Sequence, residues 1–284
     1  MSELTYVRAS TVSEAVGLLN EPGIRSFPLA GGTDMMIQLR RGEIPAGRFV
    51  DITKIPELKS RQVAGGPEGT VLLGAGVTIS EILEDTALVA KVPLLGQAGE
   101  TFGGPQIRNL ATVGGNVINQ AACADLLPVL ICLEAVAFVA APEGEYCVPV
   151  SELVSQPLPA GRIVRAFSFA VPPTAARSVY LRLSRRRTLT TARLSLTMLG
   201  RVGADGAIAE ARIVPGAIFR TVRRVKPVEE MLVGQLPSES LFEACGQKMV
   251  DLFLAESGGR WSAPYKQVVI SKLTERGLRA VYGN

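Results

Sequence analysis

A pair of adjacent glycines, Gly31-Gly32, is the feature that most constrains how this chain can fold. The segment from Phe27 to Ala30 fits a short strand, and the apolar run from Met35 fits a helix. Between them, Thr33 and Asp34 lie where a helix cap belongs. Adjacent glycines let the backbone turn sharply and bring its N–H groups close to a ligand, and a helix N-terminus adds partial positive charge. The pattern predicts a strand, a glycine turn and a helix, which suits either a diphosphate site or a plain tight turn.

A second glycine turn, Gly114-Gly115-Asn116, lies farther along the chain. Thr112 precedes it, and Asp125 follows at the start of a predicted helix from Asp125 to Glu134. A hydroxyl, close-approach glycines, an amide and a carboxylate can together bind a diphosphate and the hydroxyls of a ribose or ribityl chain. Two such turns favour a phosphate site over the plain-turn alternative.

The chain contains no histidine, which removes the commonest general base and the commonest metal ligand. Its cysteines are Cys123, Cys132, Cys147 and Cys245, without any CxxC pair, so we expect core thiols and neither a zinc site nor an iron–sulfur cluster. We therefore predict no catalytic side chain and no metal ligand. Any redox chemistry would belong to a bound cofactor.

The charge pattern argues against nucleic-acid binding. The formal net charge is +4, with basic clusters at Arg40-Arg41, at 185–187 and at 220–226, but aromatic residues are not interleaved with them. The clusters are typical of a solvated face or a protein interface. No apolar run approaches the roughly 20 residues of a membrane-spanning helix, and the N-terminus lacks the apolar core of a signal peptide. These observations predict a cytoplasmic protein without a membrane span.

The 284 residues are enough for two or three modest domains. We predict an α+β fold with a small α/β domain at 1–54, a mixed domain at 55–173 and a C-terminal domain at 174–284. The last domain should contain an antiparallel sheet, with strands at 179–183, 194–202 and 208–214, followed by two longer helices. Pro264 indicates that the final helix begins at Ser262 and ends near Tyr282.

The motifs and their order resemble the FAD-binding medium subunit of the molybdenum hydroxylases, the group that includes xanthine dehydrogenase and carbon monoxide dehydrogenase. The resemblance covers most of the chain and is strongest from Pro28 to Ala135. It is carried by PLAGGTDMMIQLR, VDITKIPEL, GAGVTISEI, GGPQIRNLATVGGN and ADLLPVLICLEA. It implies a PCMH-like FAD-binding fold in which the first two domains share the FAD site.

The resemblance also implies which residues contact a non-covalent FAD. Backbone amides and Thr33 of the first loop would hold the diphosphate, Asp125 the cofactor hydroxyls, and Arg182 the charge of the reduced ring. Phe102, Ile163 and Val164 would lie beside the flavin, with core packing as the alternative, and Asp125 has the alternative of a simple helix cap. The implied contacts are Pro28, Leu29, Ala30, Gly31, Gly32, Thr33, Asp34, Met35, Phe102, Gly103, Thr112, Gly115, Asn116, Asp125, Ile163, Val164 and Arg182.

In such a complex, the molybdenum cofactor lies on a large subunit and [2Fe-2S] clusters lie on a small subunit. The resemblance implies that this chain passes their electrons through FAD to an external acceptor, in a heterotrimer that can pair into a dimer of heterotrimers. Thr190 stands where the family commonly has an acidic residue, beside the 185–187 arginines, and the acceptor stays open among NAD, oxygen and another carrier. Two alternatives to this function are a free-standing FAD-dependent oxidoreductase and a non-redox assembly protein.

Overall fold

The protein is described by a computed structural model over residues 4–65, 69–184, 191–257 and 263–283. A short 3-10 helix lies at Pro56–Leu58. The strands are β1 (Thr5–Arg8), β2 (Ser26–Leu29), β3 (Arg48–Asp51), β4 (Arg61–Ala64), β5 (Thr70–Gly74), β6 (Val136–Ala141), β7 (Gly144–Pro149), β8 (Ile163–Ala170), β9 (Arg177–Leu183), β10 (Leu194–Val202) and β11 (Ile208–Gly216). The helices are α1 (Val12–Leu19), α2 (Met35–Arg40), α3 (Ile79–Glu84), α4 (Thr86–Lys91), α5 (Pro93–Thr101), α6 (Pro105–Arg108), α7 (Val113–Ile118), α8 (Leu126–Cys132), α9 (Val150–Leu153), α10 (Lys226–Leu232), α11 (Glu239–Ser257) and α12 (Ala263–Tyr282).

The chain divides into two compact units, each assembled from three segments. The first unit comprises Met1–Leu88, Phe102–Gln120 and Glu134–Val171, and the second comprises Val89–Thr101, Ala121–Leu133 and Pro172–Asn284. The three-domain division at 1–54, 55–173 and 174–284 is a different description of the chain and stays a prediction.

The first unit contains two sheets. One is a small parallel sheet in the order β1-β3-β2, and the other is an antiparallel sheet in the order β4-β5-β8-β6-β7. Helix α1 joins β1 to β2, and its buried side chains Val12, Ala15, Val16 and Leu19 pack in one core cluster with Val50 and Ile163. The Thr11 hydroxyl caps this helix by accepting a hydrogen bond from the Glu14 N–H at 3.1 Å.

The second unit is built on an antiparallel sheet in the order β11-β10-β9. The alternating face of β10 buries Leu194, Leu196 and Met198 in a cluster with side chains of α11 and α12. Gly277 on α12 lies against Met198, where an added Cβ would stand 2.6 Å from the Met198 sulfur. The absent side chain therefore allows α12 to pack closely on the sheet.

The predicted α+β class and the antiparallel C-terminal sheet with helices are confirmed. One expectation is wrong in detail. The cysteines are not all core thiols, because Cys147 is exposed on β7 and Cys123 is half-buried. The start of the last helix at Ser262 lies outside the described residues, in which α12 begins at Ala263.

Two further properties concern the surface of the chain. Within the described residues, every helix is too short or too polar to traverse a bilayer. In the basic cluster at 220–226, Arg223 pairs with Glu256 at 2.6 Å and Arg224 pairs with Glu229 at 2.8 Å. These two arginines are therefore engaged within the second unit.

Candidate functional site

The first glycine loop leaves the carboxyl end of β2 in the parallel sheet. Leu29 at the end of β2 is paired with Asp51 at the end of β3, and the Leu29 carbonyl accepts a hydrogen bond from the Ile52 N–H at 3.0 Å. Ligands of parallel α/β sheets commonly bind beyond the carboxyl ends of the strands. The loop from Ala30 to Asp34 begins at this edge.

The backbone of this loop is open to a ligand. Gly32 has φ +67°, a left-handed conformation that favours glycine. The N–H groups of Gly32, Thr33 and Asp34 donate to no protein acceptor in the described part of the chain. Successive N–H groups in such a turn form an anion-binding concavity, so the loop fits a diphosphate.

Asp34 does not cap the helix that follows. It occupies the N-cap position of α2, but its exposed side chain makes no capping hydrogen bond, which corrects the expected cap. Helix α2 has only six residues, so its macrodipole adds little. Anion binding here would depend on the N–H groups and the Thr33 hydroxyl.

The second glycine loop is arranged differently, because its N–H groups already have protein partners. The N–H of Val113 donates to the Val77 carbonyl at 2.9 Å, and that of Gly114 to the Ala75 carbonyl at 2.8 Å. The N–H of Gly115 donates to the Thr112 hydroxyl at 3.0 Å, which makes Thr112 the cap of α7. A second set of unused N–H groups is therefore not present in this turn.

What the second loop offers is an open surface. Gly115 is exposed, and a Cβ built on it would meet only the Thr112 hydroxyl, at 3.0 Å. Asn116 follows it and is half-buried. A flat ligand can approach the backbone at this position without meeting a side chain.

The first loop lies against the segment that precedes the second loop. A Cβ on Gly31 would lie 1.8 Å from the Leu110 carbonyl oxygen, so only glycine permits this approach. The contact explains Gly31 without any ligand, and it brings the first loop against the segment that leads into Thr112. Leu110, Ala75 and Val77 were not predicted, because backbone contacts leave no signal in side-chain type.

Residues of the motif GAGVTISEI are hydrogen-bonded to the second loop and to the segment that precedes it. Besides the bonds at Ala75 and Val77, the Ile79 N–H donates to the Ala111 carbonyl at 3.1 Å, and Thr78 forms an isolated bridge with Thr112. Thr78 and Glu81 form a complete capping box at the start of α3. Lys59 pairs with Glu81 at 2.9 Å, which links this support to the end of VDITKIPEL.

Asp51 belongs to the motif VDITKIPEL and is the last residue of β3. Its side chain contacts residues of β1 at the sheet edge where the first loop begins. It is buried and accepts hydrogen bonds from the Tyr6 hydroxyl, from Arg8 at 2.9 Å and from both donors of Thr53 at 2.7 and 2.8 Å. Burial alone would raise the pKa of the Asp51 carboxyl, but these hydrogen bonds outweigh it and lower the pKa to about 2.

The apolar candidates of the first unit differ in exposure. Ile163 and Val164 are buried at the start of β8, and Ile163 belongs to the core cluster around α1. This placement favours the core alternative for Ile163. Phe102 and Gly103 are half-buried beside α6, and Arg108 reaches their carbonyl oxygens at 3.3 and 3.4 Å. Their contact with a flavin stays a prediction.

The second unit brings Asp125 and Arg182 together. The Arg182 Nε donates to Asp125 Oδ1 at 3.1 Å, and both side chains are at least nine-tenths buried. The Tyr180 hydroxyl donates to the same oxygen at 2.5 Å. Asp125 is the N-cap residue of α8 but makes no capping hydrogen bond, so the helix-cap alternative is wrong.

Burial raises the pKa of the Asp125 carboxyl, and the hydrogen bonds from Tyr180 and Arg182 partly counter this. Burial, followed by the charge of Asp125, raises the pKa of Tyr180 well above its usual range, so Tyr180 stays a donor at physiological pH. Tyr180 was missed from the sequence, although it lies two residues before Arg182 and therefore on the same face of β9. Thr190 and the 185–187 arginines lie outside the described residues.

Comparison with known proteins identifies the family. Residues 2–172 match the family described as the FAD binding domain in molybdopterin dehydrogenase, and residues 179–281 match the CO dehydrogenase flavoprotein C-terminal domain. The chain is 27% identical to the xanthine dehydrogenase FAD-binding subunit of Escherichia coli O157:H7, over 96% of this chain and 94% of that protein. It is 26% identical to the carbon monoxide dehydrogenase medium chain of Afipia carboxidovorans, again over 96% and 94%.

A solved structure shares the fold. It is carbon monoxide dehydrogenase from Hydrogenophaga pseudoflava, with a TM-score of 0.91, 23% identity, and coverage of 99% of this chain and 97% of that one. The family matches together span most of the sequence. The chain therefore belongs to the FAD-binding subunits of the molybdenum hydroxylases, the xanthine dehydrogenase and carbon monoxide dehydrogenase family.

Proposed function

We propose that this chain binds one FAD non-covalently and passes electrons from the [2Fe-2S] centres of a small partner subunit to an external acceptor. A large partner subunit would carry the molybdenum cofactor and hydroxylate the substrate. The bound FAD supplies the redox chemistry, because a flavin can accept and release electrons singly or in pairs. The chain itself contributes binding, orientation and electrostatics.

One observation carries the proposal. The first loop presents three successive N–H groups that have no acceptor among the described residues, at a left-handed glycine and at the carboxyl edge of a parallel sheet. Unused backbone donors are costly when a loop is covered, so a ligand with phosphate oxygens is their natural partner. Pro28 to Met35 would hold the diphosphate through this backbone and through Thr33.

The second loop would add contacts of another kind. Gly115 leaves a flat surface, and Asn116 adds an amide that can donate and accept hydrogen bonds. Thr112 would act mainly by fixing the loop, since its hydroxyl already accepts the Gly115 N–H. Phe102, Ile163 and Val164 would provide apolar contact, although Ile163 also serves the core.

The ion pair of the second unit would serve the cofactor as well. Asp125 would accept hydrogen bonds from cofactor hydroxyls, and Arg182 would stabilise negative charge on the reduced ring. Both are buried, where electrostatic interactions are stronger than in water. We also propose that the protein is cytoplasmic and works in a heterotrimer that can pair into a dimer of heterotrimers. The proposed domain boundaries lie near residues 54 and 173.

A titration tests FAD binding directly. Purified chain stripped of flavin in denaturant is refolded and titrated with FAD, and binding is followed by flavin fluorescence. We expect saturation at about one FAD per chain, as for one diphosphate-binding loop. Denaturation should then release all of the flavin, because the chain has no histidine for the usual covalent link and neither glycine loop contains a cysteine. A folded chain that neither retains nor takes up FAD would overturn the proposal.

A further inference from the structure

The buried Tyr180 donates a hydrogen bond to Asp125, the carboxylate that we propose as a cofactor contact. Both donors that reach Asp125, the Tyr180 hydroxyl and the Arg182 Nε, converge on Oδ1, at 2.5 and 3.1 Å. In the part of the chain that is described, no donor reaches Oδ2. Asp125 therefore has one oxygen fixed by the protein and the other available to a ligand hydroxyl.

The geometry makes Tyr180 the stronger of the two donors. Its O–H···O distance of 2.5 Å is that of a charge-assisted hydrogen bond, whereas the contact from the Arg182 Nε is longer, at 3.1 Å. A buried carboxylate needs such donors to remain ionised. Without Tyr180, Asp125 would depend on one longer contact.

Tyr180 is itself held in place from a neighbouring helix. Strand β9 is at the edge of its sheet, and the Tyr180 N–H donates to the Gln97 side-chain oxygen on α5 at 2.7 Å. Among the described residues, the titratable and charged groups that act on Asp125 are Tyr180 and Arg182. Toward Tyr180, the facing groups from α5 and β10 are Gln97 and Ser195, neither of which titrates.

We propose that Tyr180 is a positioning residue for FAD binding: it fixes Asp125 Oδ1, keeps the carboxylate ionised, and turns Oδ2 toward a cofactor hydroxyl. This inference rests on the proposed function. Tyr180 acts through Asp125, and its own hydroxyl does not contact the cofactor.

The test measures the FAD dissociation constant of the full chain at a series of pH values from about 9 down to about 6, because loss of the Tyr180 donor would raise the Asp125 pKa further and favour the protonated carboxyl. Tyr180→Phe keeps the ring and removes the donor. We expect weaker FAD binding on the order of tenfold at neutral pH, because a charge-assisted hydrogen bond is lost. Binding by this variant should weaken further as the pH falls, whereas binding by the parent stays flat.

Two further variants separate positioning from general destabilisation. Tyr282→Phe deletes another buried hydroxyl of the same unit, which donates to the Glu210 carbonyl at 2.7 Å, and should lower the melting temperature without changing the pH profile. In an Asp125→Asn background, Tyr180→Phe should have no further effect on the dissociation constant.

Three results would overturn the inference. They are unchanged FAD affinity in Tyr180→Phe, an equal loss of affinity when Tyr180→Phe is made in the Asp125→Asn background, and a weakening of FAD binding at low pH in Tyr282→Phe that equals the one in Tyr180→Phe. A parent chain that binds no FAD at any pH would instead refute the proposed function and this inference with it.

Discussion

Neighbouring glycines in the second loop have different physical reasons to be glycine. Gly114 is buried, and a Cβ there would stand 2.8 Å from the Ala75 Cβ and 2.9 Å from the Ala75 carbonyl oxygen. Gly115 is exposed, and its added Cβ would meet only the Thr112 hydroxyl. Protein packing therefore explains Gly114, whereas Gly115 remains to be explained by a ligand.

Replacing Gly115 by valine should weaken FAD binding while the chain stays folded. The branched side chain would occupy the surface that the cofactor approaches, so we expect the dissociation constant to rise by about tenfold or more. Gly17→Val is the matched control, because Gly17 is also an exposed helical glycine, with no atom within 4 Å of an added Cβ. Equal FAD affinity in the two folded variants would contradict the assignment of this surface.

Asp51 should make stability depend on acid pH. Its pKa of about 2 in the folded chain lies below the value near 3.9 of an unfolded aspartate, so its contribution is present above about pH 4 and is lost as the pH falls toward 2. We expect Asp51→Asn to lower the free energy of unfolding by roughly 2 kcal/mol at pH 7. The difference from the parent should shrink near pH 2, as measured by denaturant unfolding. An equal difference at both pH values would show that the charge of Asp51 is not responsible.

At the scale of elements, backbone hydrogen bonds and a β-bridge connect residues 75–79 to residues 111–114 at the second loop. Gly114→Ala would force these two segments apart, because the new Cβ would meet the Cβ and the carbonyl oxygen of Ala75, and neither atom can rotate away. We expect a loss of about 1–3 kcal/mol in stability together with weaker FAD binding. Gly114→Ala should therefore lower both stability and FAD affinity, whereas Gly115→Val should lower FAD affinity alone. A Gly114→Ala chain with parental melting temperature would show that α7 does not depend on this contact.

The elements that the sequence predicted well are those with strong apolar periodicity or capping chemistry. Strand β10 was predicted at its observed bounds, 194–202, because its run is apolar and followed by the turn at Asp205-Gly206. The capping box of Thr78 and Glu81 likewise follows a sequence pattern, a hydroxyl residue with an acid three residues later. These patterns depend on residues close together in the sequence, so the elements can be predicted without knowing the fold.

The elements that were missed depend on neighbours. Strands β1, β4 and β7 are short and largely exposed edge strands, so they lack an alternating pattern of buried residues. Whether the loop N–H groups were free could not be predicted, since Ala75 and Val77 accept them through carbonyls that every residue possesses. The helix-cap alternative for Asp125 likewise failed because its partner, Tyr180, is 55 residues away.

At the scale of the whole molecule, the chain's residue types fit a carrier of electrons. It has no histidine, and the described residues contain no group of three or more metal-binding side chains. The family matches span residues 2–172 and 179–281, so the likeness to subunits of larger enzymes involves nearly the full length. Substrate chemistry would then belong to partner subunits, and this chain would contribute the flavin site.

Electron transfer from the iron–sulfur partner tests this account most directly. The proposed small [2Fe-2S] partner subunit is reduced with dithionite, desalted and mixed without oxygen with the FAD-loaded chain. We expect the flavin absorbance to bleach as the iron–sulfur absorbance returns, while organic substrates added to the isolated chain leave the flavin oxidised. A flavin that stays oxidised beside the reduced partner, or turnover of an organic substrate by the isolated chain, would contradict the account.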